Sequence, residues 1–285
     1  MKWLIVGGTG LIGRSLFNQL YRSKEAVIKT SHDKVNLCSD TLHLNLVNFN
    51  QLQYKRIDFD IAVICAGISN IYQCEKNPID TYFINVEQTY RLIESLINSG
   101  LHVIYLSSSA VFDGEKSLPK ELSLKSPTCE YGKQKAILED RLLKEFHKKI
   151  SIIRLTKVLS QENWLIAELK KCRALGNEIK LFNDYYFSPI SIDYTVSGII
   201  EIGKNKYQDI FHLSHNQEFS YYSFGEELNR ASLSHMNIIS PKSCKNISNI
   251  IYNPKFVALD MTRTSTITKS KIIPEDFNQL INNLL

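Results

Sequence analysis

Apolar side chains fill the chain from Trp3 to Val6 and stop at a pair of glycines, so "KWLIVGG" predicts a short buried strand entering a tight turn. The period then changes. In "LIGRSLFNQLYRSK" the apolar positions Leu11, Ile12, Leu16, Phe17 and Leu20 recur at helical spacing. Further strands are predicted at "AVIKT", "TLHLNL", "FDIAVICAG", "LHVIYLSSS" and "SIIRLTKV". The stretch "PIDTYFINVEQTYRLIESLINSG" reads as one helix that ends at Gly100. A second helix, between the fifth and sixth strands, carries Tyr131 and Lys135. Beyond residue 156 the pattern loosens. Helices are expected at "ENWLIAELKKCRALG", after "SPIS" from near Asp193, at "SFGEELNRASL" and at "EDFNQLINNLL", with one more strand at "DIFHLS".

Strands that are apolar on both faces and alternate with helices imply a parallel sheet covered on each side. The expected fold is therefore α/β, a doubly wound parallel sheet of the NAD(P)-binding Rossmann type with a smaller C-terminal lobe. Residues 1–156 would form the dinucleotide-binding domain, elements near 190–215 would return to it, and 157–285 would mainly hold substrate.

Composition narrows the function. The chain has 285 residues, 44% hydrophobic and 22% charged, which suits a large soluble core. The net charge of +5 is spread thinly, and the densest basic group, Lys144 to Lys149, is interrupted by Glu145, Phe146 and His147, so nucleic-acid binding is not expected. None of the six cysteines, Cys38, Cys65, Cys74, Cys129, Cys172 and Cys244, forms a C-x-x-C pair, so no metal site is expected and the thiols suit the reducing cytoplasm. The apolar run of "MKWLIVGG" is too short for a signal peptide, and no run reaches the roughly 18 apolar residues of a membrane span.

The chemistry starts at "VGGTGLIG", where Gly7, Gly10 and Gly13 stand three apart between a strand and a helix. Glycines there let the chain turn sharply, let a pyrophosphate approach the backbone, and let the helix pack against the strand, with its N-terminal N–H groups free for phosphate. The end of the second strand faces the adenine ribose in this fold. It reads "IKTSHDK", and the small hydroxyls of Thr30 and Ser31, with His32 and the flanking lysines, suit the 2′-phosphate of NADP(H). NAD(H) becomes the better fit if Asp33 takes the ribose position. In "EYGKQKA", Tyr131 and Lys135 are four apart and so share a helix face, where an ammonium would favour the phenolate and lower the tyrosine pKa. Lys133 projects to another face.

Three signals in order, the glycine turn, the serine run in "YLSSSAVFDG" and Tyr131-x-x-x-Lys135, resemble the extended short-chain dehydrogenase/reductase family. Within it the chain is similar to the dTDP-4-dehydrorhamnose reductases and related nucleotide-sugar reductases and epimerases. "CAG", "INVEQT", "IIRLTKV", "SPISIDYTVSGI" and "ALDMTRT" extend the resemblance along most of the chain. It implies that Tyr131 is the general acid for a carbonyl, that Lys135 tunes it and holds the nicotinamide ribose, and that Ser108, four before Phe112, is the catalytic hydroxyl. Gly7, Thr9, Gly10, Leu11, Ile12 and Gly13 would line the pyrophosphate, and Asn45 and Leu46 the adenine. Cys65, Ala66, Gly67 and Ser107 would pass beside the cofactor, and Thr156 to Val158 would close over the nicotinamide.

The implied reaction is reduction of a 4-keto nucleotide-linked deoxysugar for surface polysaccharide precursors. An epimerase shares the same triad, and a non-catalytic binding subunit could share the fold. A 4,6-dehydratase fits less well, because Ser109 and Ala110 follow Ser108 where that family has acidic residues. The chain departs from the reductases at Ser107–Ser108–Ser109, where they often read Ser-Thr-Asp, and at Asn45, which replaces an aspartate. Near Pro189, Tyr185, Tyr186 and Phe187 fit a substrate cleft or a core equally. The expected partner is a nucleotide sugar, and a homodimer is compatible with the resemblance.

Overall fold

The computed structural model describes residues 1–34, 39–48, 58–232, 238–245, 247 and 250–285; Cys38 lies outside them. In the first half, strands β1 (Lys2–Val6), β2 (Ala26–Ser31), β3 (Thr41–His43), β4 (Ile61–Ile64), β5 (His102–Ser108) and β6 (Ile150–Leu155) alternate with helices. The helices are α1 (Leu11–Arg22), α2 (Ile71–Lys76), α3 (Pro78–Tyr82), α4 (Thr89–Asn98) and α5 (Glu130–Phe146). In the second half come β7 (Lys157–Leu159), α6 (Trp164–Leu175), β8 (Ile179–Phe182), β9 (Tyr186–Phe187), β10 (Pro189–Ser191) and α7 (Ile192–Asn205). β11 (Ile210–Leu213), β12 (Phe219–Ser220), α8 (Tyr221–Ala231), β13 (Ile239–Lys242), α9 (Thr262–Ile267) and α10 (Phe277–Leu284) complete it.

The central sheet runs β11-β6-β5-β4-β1-β2-β3, and every neighbouring pair is parallel. Alternate residues of each strand feed opposite faces. Leu4, Val6, Ala62, Ile64 and Val103 meet Leu92, Ile93 and Leu96 of α4 and Leu138 and Leu142 of α5. On the other face Trp3, Ile5, Ile61, Val63 and Ile104 meet Leu16 and Leu20 of α1 and Ile199 and Ile202 of α7. Covering both faces is what demands strands without polar positions. The sheet's strand order reverses beside β1, which pairs with β2 on one side and β4 on the other. That switch opens a crevice at the carboxyl ends of β1 and β4.

A separate core gathers Leu165 and Leu169 of α6, Leu181 of β8, Phe224 and Leu228 of α8, and Leu280 and Leu284 of α10. Its sheet pieces are short: β13 pairs parallel with β8, and β12 antiparallel with β9. β11 and α7, though late in the chain, belong to the central sheet and its cover.

One predicted helix differs. The stretch 78–98 is continuous but not uniformly α-helical, because residues 83–88 widen into a π-helical turn between α3 and α4. The cause is Asn85, which is turned inward and buried. Its Oδ1 accepts from the Ile68 N–H at 2.8 Å, and its Nδ2 donates to the Ile68 carbonyl at 2.9 Å and to Gln134 Oε1 at 2.8 Å. One residue of extra helical slack aims it at the loop after β4.

Candidate active site

The turn after β1 is built by two glycines that cannot be replaced by larger residues. Gly7 has φ +86, and a Cβ there would stand 2.6 Å from the Ala66 nitrogen across the switch point. A Cβ on Gly13 would lie 2.2 Å from the Gly7 carbonyl oxygen, so α1 reaches β1 only without one. Gly10 is different. The nearest atom to a Cβ there is 3.7 Å away, so the protein itself leaves room for a side chain. That room opens into two adjoining cavities.

One cavity of about 410 Å³ is lined by Gly7, Thr9, Gly10, Thr30, His32, Asn45 and Leu46, among others. The next, about 430 Å³, is lined by Gly10, Leu11, Ile12, Gly13, Ser107, Ser108, Tyr131, Lys135, Thr156 and Val158. Cys65, Ala66 and Gly67 border both. The structure thus brings nearly all the sequence-predicted residues to one continuous cleft. The exception is Ser31. It is buried, its Oγ accepts the Asp33 N–H at 3.1 Å, and it lines neither cavity. Thr30 reaches the cleft, but its Oγ1 accepts the Gly7 N–H at 3.0 Å and so braces the glycine turn. Asn45 likewise accepts from the Val47 N–H at 2.9 Å, shaping the wall around Leu46.

A dinucleotide fits this cleft by three observations. It runs through two adjoining cavities, it reaches the N-terminus of α1, and it holds buried hydroxyls without partners among the described residues. Ser107 Oγ and Thr156 Oγ1 are both buried and have no hydrogen-bond partner among the described residues, yet both line the 430 Å³ cavity. Buried hydroxyls are normally satisfied, so these two are available to a ligand in the cleft.

Tyr131 and Ser108 meet at the inner end. Tyr131 opens α5, and Ser108 ends β5, where its Oγ also accepts the Ala110 N–H at 3.1 Å. Gly132 permits the approach, since a Cβ on it would stand 2.1 Å from the Ala110 carbonyl oxygen. Lys135 donates to the Leu106 carbonyl at 2.8 Å, with its ammonium 4.6 Å from the Tyr105 ring centroid and 5.7 Å from that of Tyr131. One turn further, Glu139 forms a buried ion pair with Arg154 of β6 at 2.6 Å, tying α5 to the sheet. Lys133 pairs with Glu130 at 2.6 Å on the outer face.

The pKa values depart from the expected sense. Burial pushes the Tyr131 phenol up to about 12, with the Ser108 hydroxyl pulling the other way. Burial also lowers Lys135 to about 8, against the field of Glu139. The spacing with Lys135 predicts a lowered phenol, whereas desolvation is the largest influence on Tyr131 and raises it. Burial raises the Cys65 thiol to about 12, so it stays protonated as an inert wall.

A third cavity, about 640 Å³, joins the second at Ser69 and Lys157. Trp164, Tyr221, Tyr185 and Phe182 line it as a row of rings, with centroids 5.8, 5.6 and 6.3 Å apart. Lys157, Lys180 and Lys242 supply three cations and Glu168 one carboxylate. Of the aromatic trio left open by the sequence, Tyr185 lines this cavity, Phe187 packs in the lobe core, and Tyr186 is exposed.

The glycine turn, the serine and tyrosine at one end of the cleft, and the aromatic cavity beyond them run through the whole chain, and so does a family match. The family described as RmlD substrate binding domain matches residues 1–285. The chain belongs to this family. It is an NAD(P)-dependent oxidoreductase of the short-chain dehydrogenase/reductase type. The chain is 22% identical to the dTDP-4-dehydrorhamnose reductase of Aggregatibacter actinomycetemcomitans, covering 99% of this chain and 98% of that one. It is 26% identical to the spore coat polysaccharide biosynthesis protein SpsK of Bacillus subtilis (strain 168), covering 78% and 76%. A solved dTDP-4-dehydrorhamnose reductase of Bacillus anthracis, in complex with NADP, superposes with a TM-score of 0.85 at 19% identity, covering 99% of each chain.

Several residues that shape these cavities are not announced by the sequence. Gly132 looked like part of the Tyr-x-x-x-Lys spacing, although a glycine in the first turn of a helix is itself a signal of close approach. Lys180 and Lys242 lie on short strands that alternation did not reveal. Asn85 and Gln134 lie within "INVEQT" and "EYGKQKA", but a polar residue on a helix reads by itself as solvated.

Proposed function

We propose that this RmlD-family oxidoreductase reduces the 4-keto group of a nucleotide-linked deoxysugar with NADP(H), in the synthesis of a polysaccharide precursor. The carrying observation is that Ser108 and Tyr131 converge in a cleft that adjoins an aromatic, cationic cavity. Gly7 to Gly13 would hold the pyrophosphate, and Lys135 and the unpartnered Ser107 and Thr156 the nicotinamide end. Bound there, the nicotinamide supplies the hydride. Tyr131 supplies the proton. A phenol raised to about 12 is fully protonated at neutral pH, which is the form a proton donor to a developing alkoxide must have. The Ser108 hydroxyl holds the same oxygen. The aromatic row offers a face for a nucleobase, and the lysines balance a diphosphate.

NADP(H) is favoured over NAD(H) because no carboxylate lines the 410 Å³ cavity among the described residues, whereas His32 does. Asp33 is exposed and pairs with His32 at 3.3 Å instead of lining that cavity. The relatives support this reading: one is named for dTDP-4-dehydrorhamnose reduction, one for polysaccharide synthesis, and one was solved with NADP.

The test incubates the protein with NADPH or NADH and a panel of dTDP-, UDP- and GDP-linked 4-keto sugars. Net cofactor consumption, faster with NADPH, is expected for at least one of them. Interconversion of sugars without cofactor consumption makes the protein an epimerase, and nicotinamide binding without any turnover makes it a binding subunit.

A further inference from the structure

Among the described residues, Lys157 is the one cation that lines both the 430 Å³ and the 640 Å³ cavities. Lys135 borders only the first, and Lys180 and Lys242 only the second. The backbone fixes its place. Its N–H donates to the Ser188 carbonyl at 3.0 Å, and β7 pairs with β10 through Lys157 opposite Pro189. Its neighbours Thr156 and Val158 line the inner cavity, so its stem starts beside the Ser108–Tyr131 end of the cleft.

The ammonium is open to the cavities, yet it has no ion-pair or hydrogen-bond partner among the described residues. Surrounding protein lowers its pKa by desolvation, and no charged side chain acts against that. The carboxylate in the same cavity, Glu168, stands 3.8 Å from Lys171 instead. An exposed cation that faces a ligand cavity without a counter-charge is free to take an anion of the ligand.

We propose that Lys157 binds an oxyanion of the substrate next to the reacting sugar, and so selects substrates that carry negative charge at that place. This deepens, and rests on, the nucleotide-sugar reading. Two sources share the chemistry: the phosphoryl group joined to the anomeric carbon, or a carboxylate on the sugar ring.

Titration calorimetry on the full chain saturated with oxidised cofactor tests it, with dTDP, dTDP-glucose, UDP-glucose and UDP-glucuronic acid as probes. Lys157→Met should weaken binding of the responsible anion at least about tenfold, the effect of losing a hydrogen bond to a charged group. Lys157→Arg should retain most of the affinity, and cofactor affinity should fall much less than anion affinity in either variant. Equal losses for dTDP and dTDP-glucose assign the phosphoryl group. A larger loss for UDP-glucuronic acid than for UDP-glucose assigns a carboxylate. Wild-type affinity of Lys157→Met for all four probes overturns the proposal, as does an equal loss of cofactor affinity. If the wild-type protein itself binds none of the four, the nucleotide-sugar reading falls together with the proposal, which separates the two failures.

Discussion

Replacing Gly132 by alanine isolates the contact that joins Tyr131 to Ser108. The added methyl would sit 2.1 Å from the Ala110 carbonyl oxygen, 2.9 Å from the carbonyl carbon and 3.1 Å from the Pro127 Cβ. Two of these are backbone atoms, so no side chain can rotate out of the way. Restoring ordinary contact needs a separation of about 1 Å between the first turn of α5 and the loop after β5, a misplacement that can cost about 10²-fold in rate. Tyr131 rides on one side of that gap. Ser108 rides on the other, because its Oγ is bonded to the Ala110 N–H. The variant should therefore lose about 10²-fold in kcat. Its stability is pulled two ways: alanine favours the helix by about 1 kcal/mol, and overpacking costs about 1–3 kcal/mol. The thermal midpoint should move little by comparison. The assay follows NADPH consumption at saturating keto sugar, with thermal unfolding as the control for folded protein. A folded Gly132→Ala variant with wild-type kcat would falsify the claim that the close approach sets the Tyr131–Ser108 geometry.

Other perturbations probe other parts of the cleft. Gly10→Val should leave the fold intact, since the site is open to a side chain, but should abolish most nicotinamide binding by filling the space at the pyrophosphate; unchanged cofactor titration would refute it. Lys135 is protonated only below about pH 8, so kcat/KM for NADPH in the wild type should fall as pH rises through that value, and Lys135→Met should show low kcat/KM without that inflection. Burial lowers His102 to about 4 and His212 to about 3, so the unfolded chain takes up their protons first as pH falls below the ordinary histidine value. Stability should accordingly decline between about pH 6.5 and pH 4, and a flat thermal midpoint over that window would contradict the assignment.

The sheet and the cofactor cleft were legible because local sequence determines them. A strand buried on both faces must be apolar throughout, a turn with φ +86 at Gly7 favours glycine, and a helix brings residues four apart to one face. What the sequence hid depends on contacts between distant segments. The direction of the Tyr131 pKa follows from how much protein surrounds the phenol, which spacing with Lys135 does not report. Ser31 looked available because a strand end reads as exposed, but its hydroxyl turns back to the Asp33 N–H. The π-helical turn exists because Asn85 reaches Ile68 and Gln134, and its residues have the same periodicity as a plain helix. The 640 Å³ cavity draws its aromatics from α2, α6, β8, the segment before β9, α8 and Tyr252, so no single stretch announces it.

The central claim is that Tyr131 gives its proton to the sugar oxygen as hydride arrives at the neighbouring carbon. Tyr131→Phe removes one oxygen from a site that otherwise keeps its shape. Measured against the best keto sugar of the panel, its kcat should fall by about two to four orders of magnitude, the range for a lost general acid, while NADPH affinity and the thermal midpoint stay close to wild type. Wild-type turnover by Tyr131→Phe would contradict the account, because the proton would then come from elsewhere and the pairing of Tyr131 with Ser108 would be packing alone.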